Sequence, residues 1–233
     1  MQKFKVKNLL CLLIIFILLP ITIFFVKLYA GEKSFYFTSF IIIIYSFIPF
    51  FISYEKSYSQ IKLLTIVAVM STLVVVSRLV FYLMPQFKPV TAIIIISGIT
   101  LGAESGFMVG AISAFVSNFF FGQGPWTPWQ MFCFGMIGFL SGLIFNFLKC
   151  KVNKITLSVW GFIASLIIYG AIINISSYML YYDAKNLDAF LSYYALSLPY
   201  DLIHAVSTII FLLLLGKPLL YQLNRVKNKH ELS

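Results

Sequence analysis

Charge is scarce in this chain, and acid is scarcest of all. Of 233 residues, seven are Asp or Glu and two are His, which leaves little material for paired carboxylates or a His-rich metal site. Cysteine is nearly as rare. Cys11, Cys133 and Cys150 show no metal-ligand spacing, and Cys150 sits in a short basic loop, so they read as reduced or inert thiols with no disulfide framework. No HExxH, GxSxG or phosphate-loop motif occurs, and the two histidines, His204 and His230, lie far apart in sequence. Catalysis is therefore not expected, and neither a metal nor a catalytic residue is assigned.

What fills the space is apolar. The chain is 61% hydrophobic and 10% charged, a balance no soluble globular domain has, and its apolar runs approach the roughly twenty residues that cross a bilayer. The fold class is all-α, a polytopic helical membrane protein in which length sets helix number. The net charge of +10 could suggest nucleic acid. The basic residues, however, sit in loops and tails with no patch on a soluble face, so attraction to one membrane leaflet accounts for them.

Eight helices are expected. A basic arm with Lys3, Lys5 and Lys7 precedes the run 9–26, which Pro20 interrupts; that run exceeds the roughly 7–15 residues of a signal-peptide core, so a retained helix is the reading. A second run covers 36–52. The third, 61–84, contains the charge Arg78, and prolines at 85 and 89 stop it. The stretch 90–121 is too long for one crossing and is expected to split at Gly102-Ala103-Glu104-Ser105 into 90–101 and 105–121. Helices over 129–148, 155–180 and 191–215 follow. The organisation is then a two-helix extension (1–60), a six-helix core (61–216) and a basic tail (217–233). With the N-terminus in the cytoplasm, inner segments hold twelve Lys and Arg and outer ones four, with Arg78 in the membrane. That bias places both termini in the cytoplasm.

Three features stand out against this background. Gly98, Gly102, Gly106, Gly110 and Ala114 recur every four residues and leave a bare helix face, which the break near Glu104 divides into two short ones; ordinary helix packing is the favoured reading. Arg78, Asp201 and His204 fall inside apolar runs, where a charge costs at least about 2.5–3.5 kcal/mol and must pair or face a cavity. Asp201 and His204 share a helix face, and an Arg78–Asp201 pair at similar depth is expected, either as a structural tie or as the floor of a pocket. The third feature is the connection NFFFGQGPWTPWQM at 118–131, which gathers Asn118, Gln123, Trp126, Thr127, Trp129 and Gln130 with two glycines and two prolines. It suits a stiff ligand-holding loop, and equally an interfacial aromatic belt.

The segments SRLVFYLMPQFKPVTAIIIISG, GAESGFMVGAISAFVSN, FFFGQGPWTPWQM and SLPYDLIHAVS together resemble the substrate-binding S component of energy-coupling factor (ECF) vitamin transporters, over about residues 61–215. The resemblance implies a six-helix core, here preceded by two further transmembrane helices, in a multi-pass protein of the bacterial cell membrane. It implies capture of a vitamin or related micronutrient from outside, without a cofactor, at a site made of Arg78, Asn118, Gln123, Trp126, Thr127, Trp129, Gln130, Asp201 and His204. It further implies docking on a T component that two cytoplasmic ATPases drive. The family's docking motif, two alanines four apart in the first core helix, falls here on Ala68 and Thr72. For the ligand, the GPWTPWQM pattern favours a cobalamin-type compound; a flavin, a deazapurine or a folate suits the aromatic and amide groups nearly as well. Two other readings remain: an autonomous carrier using Asp201 and His204 as a proton relay, and a non-transporting membrane scaffold.

Overall fold

The computed structural model describes residues 58–181 and 187–229, with scattered residues between 13 and 45. Most of the two N-terminal runs, Tyr182 and His230 lie outside the described residues; of the second run, 37–42 are helical. Among the described residues every regular element is a helix. We number those from residue 58 onward: α1 (Tyr58–Val80), α2 (Val90–Leu101), α3 (Ala103–Phe121), α4 (Thr127–Gly142), α5 (Lys154–Ile163), α6 (Gly170–Tyr181) and α7 (Leu187–Lys229). A π-helical turn, Leu143–Phe147, continues α4, and another, Ala164–Tyr169, joins α5 to α6 into one span, Lys154–Leu180. Among the described residues five helical spans are long and apolar enough to cross a membrane, and α2 is a shorter apolar one.

The break inside 90–121 falls where the sequence suggests. Gly102 has φ +98°, in the left-handed region where a Cβ is costly, and its N–H still bonds the Gly98 carbonyl at 3.0 Å. That single residue turns the chain, so α3 starts two positions earlier than expected, at Ala103. Gly122, φ +99°, ends α3 in the same way. Pro128 lies in the first turn of α4, where a missing N–H leaves no bond unmade. Asn153 and Thr156 form a reciprocal capping box at α5, with Thr156 N–H donating to Asn153 Oδ1 at 2.9 Å.

α2 is buried at all twelve positions, which is why its sequence is apolar on every side. The small-residue ladder explains how its neighbours close around it. A Cβ on Gly98 or Gly106 would strike the Gly138 carbonyl, one on Gly110 the Phe134 carbonyl, and one on Gly138 the Gly106 carbonyl. Backbone meets backbone along α3 and α4, so the stripe is a packing surface. Gly102 has open space at its Cβ position and serves the turn instead. Outward, α1 and α7 present Val69, Val76, Val80, Leu196, Val206 and Leu214, all exposed, as spans facing hydrocarbon should.

α7 runs unbroken for 43 residues through Pro199 and Pro218, so residues 217–229 continue the helix. Near its end the Lys227 ammonium donates to the Thr100 carbonyl at 3.2 Å, satisfying a carbonyl in the last turn of α2.

Candidate binding site

By alternation, one end of the bundle carries the C-terminal ends of α1, α3 and α6 and the N-terminal ends of α2, α4 and α7. The polar residues of interest gather there. At the centre is Asn118, 1% exposed, in the last turn of α3. Its Oδ1 accepts from Arg78 Nη1 at 2.9 Å, and its Nδ2 donates to Thr127 Oγ1 at 3.1 Å and Gln130 Oε1 at 2.8 Å. Thr127 in turn donates to Gln123 Oε1 at 2.9 Å and accepts from the Gly124 N–H at 3.2 Å, while Gln123 Nε2 donates to the Phe115 carbonyl at 2.9 Å. Arg78 Nη1 also donates to Ser117 Oγ. Arg78, Asn118, Gln123, Thr127 and Gln130 thus form one connected network that ties α1, α3 and the α3–α4 connection together.

Asp201 and His204 form a second group. The expected Arg78–Asp201 pair does not form: Asp201 accepts from Asn174 Nδ2 at 2.7 Å and from Ser197 Oγ at 3.5 Å. Gly170 makes room for that carboxylate, since a Cβ there would sit 3.1 Å from it. His204, 4% exposed, shares its Nε2 with Thr91 Oγ1 at 2.8 Å, and its Nδ1 has no partner among the described residues. Asp201 and His204 lie one turn apart yet bond different helices. Tyr169 connects the two groups. It closes the π turn, stacks on Phe134 at 4.8 Å, meets His204 edge-on at 4.7 Å, and lies within electrostatic reach of both Arg78 and Asp201.

The two loop tryptophans part company. Trp126 is half-buried in the turn, its ring over Gly124. Trp129 is 5% exposed; its Nε1 donates to Ser39 Oγ at 3.1 Å and its ring packs with Ile42, Phe132 and Met136. It therefore braces α4 against the N-terminal segment.

Sequence reasoning missed Ser117, Tyr169, Thr91, Asn174 and Lys88. Asn174 had a signal, as an amide inside an apolar run, and so had Lys88, next to Pro89. Tyr169 had none, because a tyrosine amid Ile and Phe reads as core. Lys88 lies in the connection between α1 and α2, its ammonium 4.5 Å from the centre of the Phe121 ring, and the Arg78 guanidinium lies 4.4 Å from the same ring. Burial, and secondarily the positive charge of Arg78, holds the Lys88 ammonium below the ordinary lysine range.

Elsewhere, Ala68 and Thr72 are exposed on α1 and line a groove of about 330 Å³ with Ser71, Val75, Met108 and Ile112. The Thr72 hydroxyl is turned back onto the Ala68 carbonyl at 2.9 Å, and the buried Ser71 Oγ has no partner among the described residues.

Comparison with curated proteins and with solved structures finds no match. The family model for the ECF-type riboflavin transporter, S component, matches residues 58–221, the stretch from the start of α1 to well within α7. The chain belongs to the ECF-type riboflavin transporter S-component family.

Proposed function

We propose that this protein is the capture subunit of an ECF-type importer and binds a flat, polar-edged micronutrient of the flavin class at the Asn118 end of the bundle. The observation that carries the reading is the network around Asn118, which holds a cation, three amides and a hydroxyl in fixed directions at the mouth of an apolar bundle. A polar assembly of that size inside a membrane protein marks a binding site more often than a strut. Membership of a riboflavin-transporter family supports a flavin. The cobalamin-type ligand expected from the tryptophan pattern is the competing outcome, and it is less well served, because Trp129 is committed to Ser39 and leaves Trp126 as the half-exposed ring.

The mouth faces outward in this reading. Lys149, Lys151, Lys154, Arg225 and Lys229 lie toward the opposite end, as cytoplasmic lysines and arginines should. Energy comes from partners: the Ala68–Thr72 groove receives a small-residue face of the T component. Two ATPases complete the importer.

The test is direct. Purified protein without ATP is titrated with riboflavin, cobalamin, folate and a deazapurine, following tryptophan fluorescence, to which Trp126 should respond. One of them should bind, and uptake should need co-expressed T component and ATPases. A folded, monodisperse protein that binds none, or uptake by this chain alone that a protonophore abolishes, would sink the proposal.

A further inference from the structure

The capture site described above has an unbalanced charge. Arg78 and Lys88 stand over one aromatic ring, at 4.4 and 4.5 Å from its centre. Among the described residues neither meets a carboxylate. Arg78 Nη1 bonds the neutral oxygens of Ser117 and Asn118, while Nε and Nη2 have no acceptor there. The Lys88 ammonium has the ring alone, although its carbonyl is fixed by Ser207 Oγ at 3.0 Å. The nearest candidate counter-ion on sequence grounds, Asp201, is held by Asn174 and Ser197.

Two like charges brought together in a partly dehydrated pocket repel and lose hydration, which Coulomb attraction to a ring offsets only in part. His204, on α7, keeps its Nδ1 unpartnered among the described residues. Its position is fixed by Thr91, and Ser207, one turn further along α7, fixes the Lys88 backbone. Cationic donors from α1 and the α1–α2 connection therefore meet at one ring, and among the described residues no carboxylate meets either.

We infer that the captured solute carries an oxyanion, a carboxylate or a phosphate, that seats between Arg78 and Lys88. The inference rests on the capture reading but goes beyond it, since riboflavin itself is uncharged. A planar guanidinium with two adjacent donors suits a two-oxygen anion, and the lysine adds a movable point charge. Lowered hydration of the Lys88 ammonium fits a group that an arriving anion would stabilise. An anionic lipid headgroup has the same chemistry as a soluble anion. We commit to the soluble solute, because Ser117, Asn118 and Thr91, which surround the spot, are buried in the bundle.

The experiment compares riboflavin with riboflavin 5′-phosphate, and folate with its uncharged diester, on protein in phosphatidylcholine nanodiscs. The anionic member of a pair should bind at least about tenfold more tightly. Lys88→Gln should remove most of that preference by weakening the anionic member far more than the neutral one, while Arg78→Lys should keep part of it. Equal affinity within each pair, with no effect of Lys88→Gln, overturns the inference and leaves the capture reading standing. If no probe binds, both fall. Phosphatidylglycerol discs that abolish the preference by competition would assign the spot to lipid and overturn the inference as well.

Discussion

At the scale of the residue, the decisive fact is how much one amide does. Asn118 accepts from Arg78 and donates twice, to Thr127 and Gln130. Asn118→Ala leaves buried donors and acceptors unmatched on both sides, which costs about 1–3 kcal/mol. It is expected to lower the melting temperature in detergent and to weaken ligand binding together; a variant with unchanged melting and unchanged binding would show that the network is incidental. Trp129→Phe separates the two roles. It loses the bond to Ser39 and so should cost about 1 kcal/mol of stability, while the ligand affinity measured by calorimetry stays within a factor of two or so of the parent. Arg78 stood out in the sequence as a charge inside an apolar run, but its partner did not. Depth along a helix follows from counting residues, whereas the direction a side chain takes around the axis depends on how neighbouring helices are rotated. So the acid at similar depth was the natural guess, and the amide on α3 is the actual partner.

At the scale of the element, glycine and proline make the chain readable. Both helix breaks and the start of α4 fall at Gly102, Gly122 and Pro128, where φ or a missing donor forces them. The π turns left no such mark. Ala164–Tyr169 looks like any apolar helix in sequence, yet it sets where Tyr169 stands, with Ser165 and Thr208 bonded at 2.8 Å beside it. Packing gives a sharp prediction here. Gly138→Ala drives a methyl into the Gly106 carbonyl, and backbone cannot step aside as a side chain can, so a loss of about 1–3 kcal/mol or failure to fold is expected. Gly216→Ala adds the same methyl in ordinary contact with Leu157, 3.7 Å away, and should stay within about 1 kcal/mol of the parent. Thermal unfolding of the two variants side by side checks this, and equal losses would mean that the α3–α4 contact is looser than described.

At the scale of the whole molecule, the proposed capture and docking surfaces are separate. The Asn118 network lies at one end, and the Ala68–Thr72 groove runs along the lipid-facing side of α1 and α3. Ala68→Trp is expected to fill the groove and prevent co-purification with the T component, leaving vitamin affinity intact. Loss of both together would join the two surfaces, contrary to this division. Membership of the class was legible from short motifs because loops and breaks carry them. The ligand was not, since the polar groups at that end come from six helices that meet only after folding.

One arrangement has a mechanical meaning. α2 is tied to α7 near both its ends, through Thr91 with His204 and through Thr100 with Lys227, and the Lys88 carbonyl adds a third tie. A rod pinned at top and bottom to a longer one can neither spin nor slide on it. The exposed stretch from Tyr82 to Gln86, by contrast, makes no hydrogen bond to α7 among the described residues. The pair of helices that holds His204 is therefore the stiff frame of the bundle, and the connection beside it is hydrogen-bonded only within its own turn.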